Sequence, residues 1–253
     1  MPTRDPSTAA RNAIDASNQL DGFGITLGAD AAKWLTKLLE LRANPPVEPP
    51  ANEVAELIAG SASATAIDRA LAQKLGAALR AGQHMRATQI VGGRVLDAIL
   101  GDRDRVHAEL STTATGIIER LHRAALIDAS IIELTRARRT DEAHALAVAE
   151  SDTAELSDLY QVRNNVLTTP GARWSTGWWD CAIWQTPWDT AIGHVSETDG
   201  SKWGLWRATI RAGGRLWYPT HEQATTASQA HEPADMLPPI NPRRTGNATF
   251  ITS

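Results

Sequence analysis

The sequence predicts a mainly α protein: a helical bundle or long helical hairpin, then a small Trp-rich antiparallel β module, with extended termini. Three observations lead there. Apolar residues recur at three- and four-residue spacing through residues 52–167, the period of a helix with one buried face. Eight of the nine Trp fall within 173–218, where charge thins and Gly and Thr rise. Pro-rich stretches lie towards both ends, at 45–50 and 233–242, and Pro forbids long regular structure.

Residues 1–50 are expected to be an N-terminal arm with a helix and a Pro-rich linker. A short helix over Asn12–Leu20 is broken by Asp21-Gly-Phe-Gly. Asp30 is a candidate cap for Ala31–Arg42, whose Trp34, Leu38 and Leu41 share a face. Pro45, Pro46, Pro49 and Pro50 then favour an extended spacer or a tight elbow between helices.

Residues 51–170 are expected to be the helical body. Glu53–Ala59 is closed by Gly60. The next stripe is Ile67, Leu71, Leu75, Ala78 and Leu79, with Thr65 as its cap. Gly82 weakens it before Ile90, Val91, Val95, Leu96 and Ile99 resume. Gly92-Gly93 marks a kink or a point of close helix contact. Val106, Leu110, Ile117, Leu121 and Ile131 carry a further stripe, with a possible break at Thr112–Gly116. Arg136, Arg138 and Arg139 suit a helix C-terminus, where cations meet the dipole favourably. Leu146, Ala149, Leu156, Leu159 and Tyr160 mark the last helix, which an Asp152/Glu155 capping box would split.

Residues 171–218 read as the β module. Trp178, Asp180, Ala182 and Trp184 alternate along a strand, Trp188–Val195 is a second candidate, and Asp199-Gly200 is a turn. Trp203–Arg211 fits either a strand, through Trp206, Ala208 and Ile210, or a helix, through Trp203, Trp206 and Ile210. Residues 219–253 are expected to be an extended C-terminal arm, ordered on a partner.

The 253 residues carry 25 basic against 29 acidic side chains, a net charge of −4. That argues against nucleic acid as the main partner. No long apolar run predicts a membrane span, and Met1-Pro-Thr-Arg-Asp lacks the basic-then-apolar order of a secretory signal. The seven His show no i, i+3 or i, i+4 pair, so no helical metal pair is expected. No Gly-rich phosphate loop is present, and no cofactor is expected. Cys181 follows Asp180, with His194 and His221 downstream; a buried structural thiol is the expected role, a catalytic nucleophile the minor one.

The Trp cluster fits three roles: filling a core poor in aliphatic residues, anchoring a protein partner, or stacking on sugars. The candidate interface residues are Trp188, Trp203, Trp206, Trp217, Met236, Leu237, Ile240 and Phe250, with Trp188 and Trp203 the outermost anchors. Trp174-Ser-Thr-Gly-Trp-Trp-Asp180 and Pro238-Pro-Ile-Asn-Pro242-Arg243 resemble the Trp-x-Thr-x-x-Asp core and Pro-Pro-x-His-Pro ending of phage head-morphogenesis proteins of the Mu F type. The resemblance covers about a dozen residues, differs in spacing, lacks the Cys pair and has Asn241 in place of His. It implies a virion setting and carries no activity across. The expected function is a non-enzymatic structural or assembly protein of a bacteriophage particle. Its helices would form a homo-oligomer and its arms would contact other virion proteins. The alternatives are a carbohydrate or cell-surface binding module on a helical stalk and, more weakly, a Cys181-dependent cell-wall hydrolase.

Overall fold

A computed structural model describes residues 8–47, 49–50, 52–168, 174, 181–185 and 201–230. The described chain is mainly helical. Its helices are α1 Ala9–Gly22, α2 Ala29–Ala43, α3 Glu53–Ala59, α4 Ala64–Gly101, α5 Arg103–Ala125, α6 Ile131–Arg136, α7 Thr140–Val166, α8 Lys202–Arg211 and α9 His221–Ala230. They fall into two compact units, whose boundaries lie within α5 and within α7.

The first unit is built on α4. Its C-terminal half buries Gly92, Val95, Leu96 and Ile99, the line that 3.6-residue periodicity puts on one side. Ala9, Ala10, Ala13, Ala16 and Leu20 form the buried face of α1. Small side chains there let two helices approach closely, and Gly92 is where they do so. A Cβ at Gly92 would lie 2.5 Å from the Ala10 Cα and 2.6 Å from its backbone nitrogen. The sequence left a kink or a contact open; the contact is present, and α4 runs unbroken through it. Gln89 supports the same junction, its Oε1 accepting the Ala10 N–H at 3.0 Å, one of the donors a helix start leaves unpaired. On α2, Leu38 is buried, and Trp34 lies under the Arg94 guanidinium of α4 at 4.5 Å, a cation–π contact. The stretch expected as an arm thus supplies two helices packed on α4. Gly28, not Asp30, is the N-cap of α2.

The second unit joins α5, from Ala108 on, to α6, most of α7, α8 and α9. Leu110, Ala114, Ile117, Leu121 and Ala124 line the buried side of α5. Ala149, Leu156, Leu159 and Tyr160 do so on α7. Neither helix breaks where the sequence allowed it. On α5, the Thr112 and Thr115 hydroxyls donate to the Ala108 and Ser111 carbonyls one turn back, so both are held locally without breaking the helix. On α7, Asp152 does not cap. It is buried and accepts a two-pronged bond from Arg120 of α5, at 2.9 and 2.8 Å. The capping box in this region is Ser130 with Glu133, at the start of α6.

The expected β module is corrected. Among the described residues there is no strand, only an isolated antiparallel bridge between Trp184 and Leu216. It is flanked by Gln185 N–H to Arg215 O and Trp217 N–H to Ile183 O. Trp203–Arg211 takes the helical option: Ser201 caps α8, and Trp203, Trp206, Thr209 and Ile210 are buried together. The extended arm expected from residue 219 begins instead with α9. Thr220 and Gln223 cap it reciprocally, each backbone N–H donating to the other's side chain. The expected strand Trp188–Val195 lies outside the described residues.

Candidate functional site

Three regions hold side chains able to do more than fill a core: the aromatic cluster, a groove between α5 and α7, and the N-terminal half of α4.

In the aromatic cluster, Tyr160 stacks on Tyr218 with ring centroids 5.6 Å apart, and meets Trp206 edge-on at 6.3 Å. Trp206 in turn meets Trp184 edge-on at 6.2 Å. The polar ends are satisfied internally. The Tyr160 hydroxyl donates to Trp217 O at 2.8 Å, the Tyr218 hydroxyl to Leu159 O at 2.9 Å, and the Trp217 indole N–H to Cys181 O at 2.9 Å. His122 of α5 joins in, its Nε2 accepting the Leu216 N–H at 3.2 Å. That bond needs an unprotonated Nε2. Burial, helped by the nearby Arg215 charge, holds His122 below its ordinary pKa.

This arrangement is a core. Trp184, Trp203 and Trp206 are buried, so Trp203 is not the exposed anchor the sequence suggested, and Trp206 turns no face outward. Trp217 is half-buried and tied down at its N–H. The Cys181 side chain is buried as well, with the residue only 1% exposed. The other interface candidates, Trp188, Met236, Leu237, Ile240 and Phe250, lie outside the described residues. So do both motifs that resemble the phage family, apart from Trp174, whose ring meets His221 edge-on at 5.2 Å.

The α5–α7 groove, about 870 Å³, is lined by Arg120, Arg123, Asp128, Arg139, Glu142 and His144 among others. Its charges are largely compensated: Arg120 by Asp152, Arg139 by Glu142, and Asp128 by Arg211 of α8. The arginines of α8 serve mainly as caps. Arg207 donates to Ile127 O at 2.6 Å, and Arg211 to Ala125 O and Ile127 O at 2.6 and 2.9 Å. The Ala125 carbonyl ends α5, where a helix leaves acceptors unpaired and carries its negative pole, and Ile127 lies two residues beyond it. Desolvation, with the neighbouring Arg211 charge second, pulls the Arg207 pKa down. The sequence pointed to Arg136, Arg138 and Arg139 for such a role, and Arg136 does lie in the last turn of α6. Of these, Arg138 occupies the left-handed residue that closes α6, at φ 59.

The third region is different in kind. Leu71, Leu75, Leu79 and Met85 of α4 are 48, 65, 62 and 64% exposed. Leu71, Leu75, Ala78, Gly82 and Met85 follow alternating steps of four and three, with Leu79 beside them, which places them along one side of the helix. All six are exposed. The opposite side at this level is covered, with Ala70 and Ala77 buried. Isolated exposed apolar residues are ordinary, whereas a contiguous line of them on a rigid helix is the form of an interaction surface. The sequence shows this stripe and leaves open whether a helix packed on it belongs to the chain or to another subunit; its exposure rules out cover from within the described chain.

Among the described residues, no group of three or more His, Cys, Asp or Glu is placed to hold a metal ion, and no helix is long and apolar enough to cross a membrane. Comparison with family models, with curated proteins and with solved structures finds no match to this chain.

Proposed function

We propose that this chain is a non-enzymatic structural protein that works by self-association through the exposed face of α4, as a component of a bacteriophage particle. The observation that carries the reading is the line Leu71–Leu75–Leu79–Met85, apolar, exposed and mounted on a 38-residue helix. Covering such a line removes apolar surface from water, at about 25 cal/mol per Å², without rearrangement of the helix that bears it. The virion setting rests on the two short motifs at 174–180 and 238–243 and on their position after a helical body.

Size-exclusion chromatography with light scattering tests the assembly reading. The chain is expected to run as a dimer or larger at micromolar concentration. The double variant Leu75→Glu/Leu79→Glu is expected to run as a folded monomer. A wild-type chain that stays monomeric at millimolar concentration would contradict the reading. Mass spectrometry of purified particles from a producing host tests the setting, and a chain absent from them would remove it.

A further inference from the structure

Two charged residues lie on the same line of α4 as the exposed leucines. Asp68 stands at its N-terminal end and Arg86 at its C-terminal end, both exposed. Neither makes an ion pair or side-chain hydrogen bond with another described residue. They are eighteen positions apart, which is about five full turns and roughly 27 Å, so they point the same way. Arg69, Lys74 and Arg80, the other cations of this stretch, fall roughly 100° or more from the direction of Asp68 and Arg86 by helical geometry, with Lys74 on the side of Ala78 and Met85.

A surface with a negative group at one end, a positive group at the other and leucine between them is complementary to itself when turned end for end. We propose that the partner of this face is a second copy of the chain, paired antiparallel along α4 about a twofold axis at the level of Ala77. The inference rests on the assembly reading above and names its geometry. In this register Asp68 of each copy faces Arg86 of the other. Leu75 faces the partner copy's equivalent of Leu79, and the reverse, so four leucines meet at the centre. Leu71 comes beside the small Gly82, and Ala78 together with Gly82 lets the two backbones approach. A twofold contact is isologous, so each interaction occurs twice. A parallel pair would instead set Asp68 against Asp68 and Arg86 against Arg86. Leucine supplies the attraction in either arrangement; the end charges choose the direction, as opposite and like charges do across paired helices.

Charge reversal tests this on the full chain, with sedimentation equilibrium reading the affinity and circular dichroism confirming unchanged helix content. Asp68→Arg and Arg86→Asp are each expected to weaken self-association by about tenfold at low salt, because each places two like-charged contacts in the dimer. The combination Asp68→Arg/Arg86→Asp in one chain is expected to restore native affinity. An equimolar mixture of the two single variants is expected to give a heterodimer of native strength. A dimer whose affinity neither single reversal changes would overturn the antiparallel register while leaving self-association standing. A wild-type chain that is monomeric throughout would remove the assembly reading itself.

Discussion

The two halves of α4 have similar composition and opposite fates. From Gly92 to Ile99 the helix turns Val95, Leu96 and Ile99 inward, against α1 and α2. From Leu71 to Met85 it turns Leu71, Leu75 and Leu79 outward. The difference is in the neighbours. At Gly92 the absent side chain lets the backbone of α1 come within contact distance, and Gln89 and Arg94 fasten α1 and α2 in place. Along the N-terminal half, the small Ala70 and Ala77 take the covered side, and the larger residues are left to solvent. One half stabilises the fold. The other half leaves its apolar surface in solvent.

The sharpest way to break that contrast is to truncate matched residues in each half. Ile99→Ala is expected to destabilise the monomer by about 3 kcal/mol, from lost burial and the cavity left behind. Leu75→Ala is expected to stay within about 0.5 kcal/mol, because the side chain is already in water. Urea unfolding at low protein concentration checks both; equal losses would mean that the two halves are packed alike. Next in size is Gly92→Ala. Its Cβ would collide with backbone rather than with a movable side chain, and a loss of about 2 kcal/mol is expected. The same substitution at Gly93, where nothing lies within 4 Å, is expected to be neutral or stabilising by helix propensity.

Smaller effects come from the ends. The Ser63 hydroxyl caps α4 by accepting the Ala66 N–H, and Ser63→Ala is expected to cost about 1 kcal/mol. Ser61 and Arg138 sit at φ 58 and 59, where α3 and α6 close. In each case a backbone bond reaches back five residues, Ala62 to Leu57 and Arg139 to Leu134. The same closure uses Gly24 after α1 and Gly213 after α8. Ser61→Gly or Arg138→Gly is therefore expected to stabilise by about 0.5 to 1 kcal/mol, visible as a raised melting temperature.

The second unit adds a pH-dependent case. His122 is held neutral in the fold, by burial and then by Arg215, below its ordinary value of 6.5. Folding then releases a proton at pH values between the folded and unfolded pKa. Its contribution to stability is present above about pH 6.5 and declines as pH falls towards the folded pKa. Protonation would also turn the acceptor of the Leu216 N–H into a donor. Urea midpoints of the wild type and His122→Gln across pH 5 to 8 measure this. The wild type is expected to lose stability more steeply on acidification than the variant; parallel curves would remove His122 as the cause.

Most helices were legible because their signal is periodic and local: α2, α4, α5 and α7 follow from the spacing of Leu, Ile and Val. The interruptions were over-read. Gly82 and Thr112–Gly116 weaken a helix by small local terms, and α4 and α5 run straight through them. The Trp segment was misread for the opposite reason. Trp203, Trp206 and Ile210 support both periods, and the decision came from Ser201 as a cap and from tertiary burial against Tyr160 and Trp184. Arg207 and Arg211 could not be recognised as holding the end of α5 and the turn after it, since their acceptors lie eighty or more residues away in sequence. The candidate site shows the same limit. The stripe 71–79 was plain in the sequence, but its lack of a partner is a property of the folded chain.

Hydrogen exchange read by mass spectrometry at two protein concentrations tests the central claim most directly. At low concentration, the amides of residues 66–90 are expected to exchange faster than those of 92–101. At high concentration, protection is expected to rise across 66–90 and to stay unchanged across 92–101. Protection of residues 66–90 that matches 92–101 and does not respond to concentration would contradict the account.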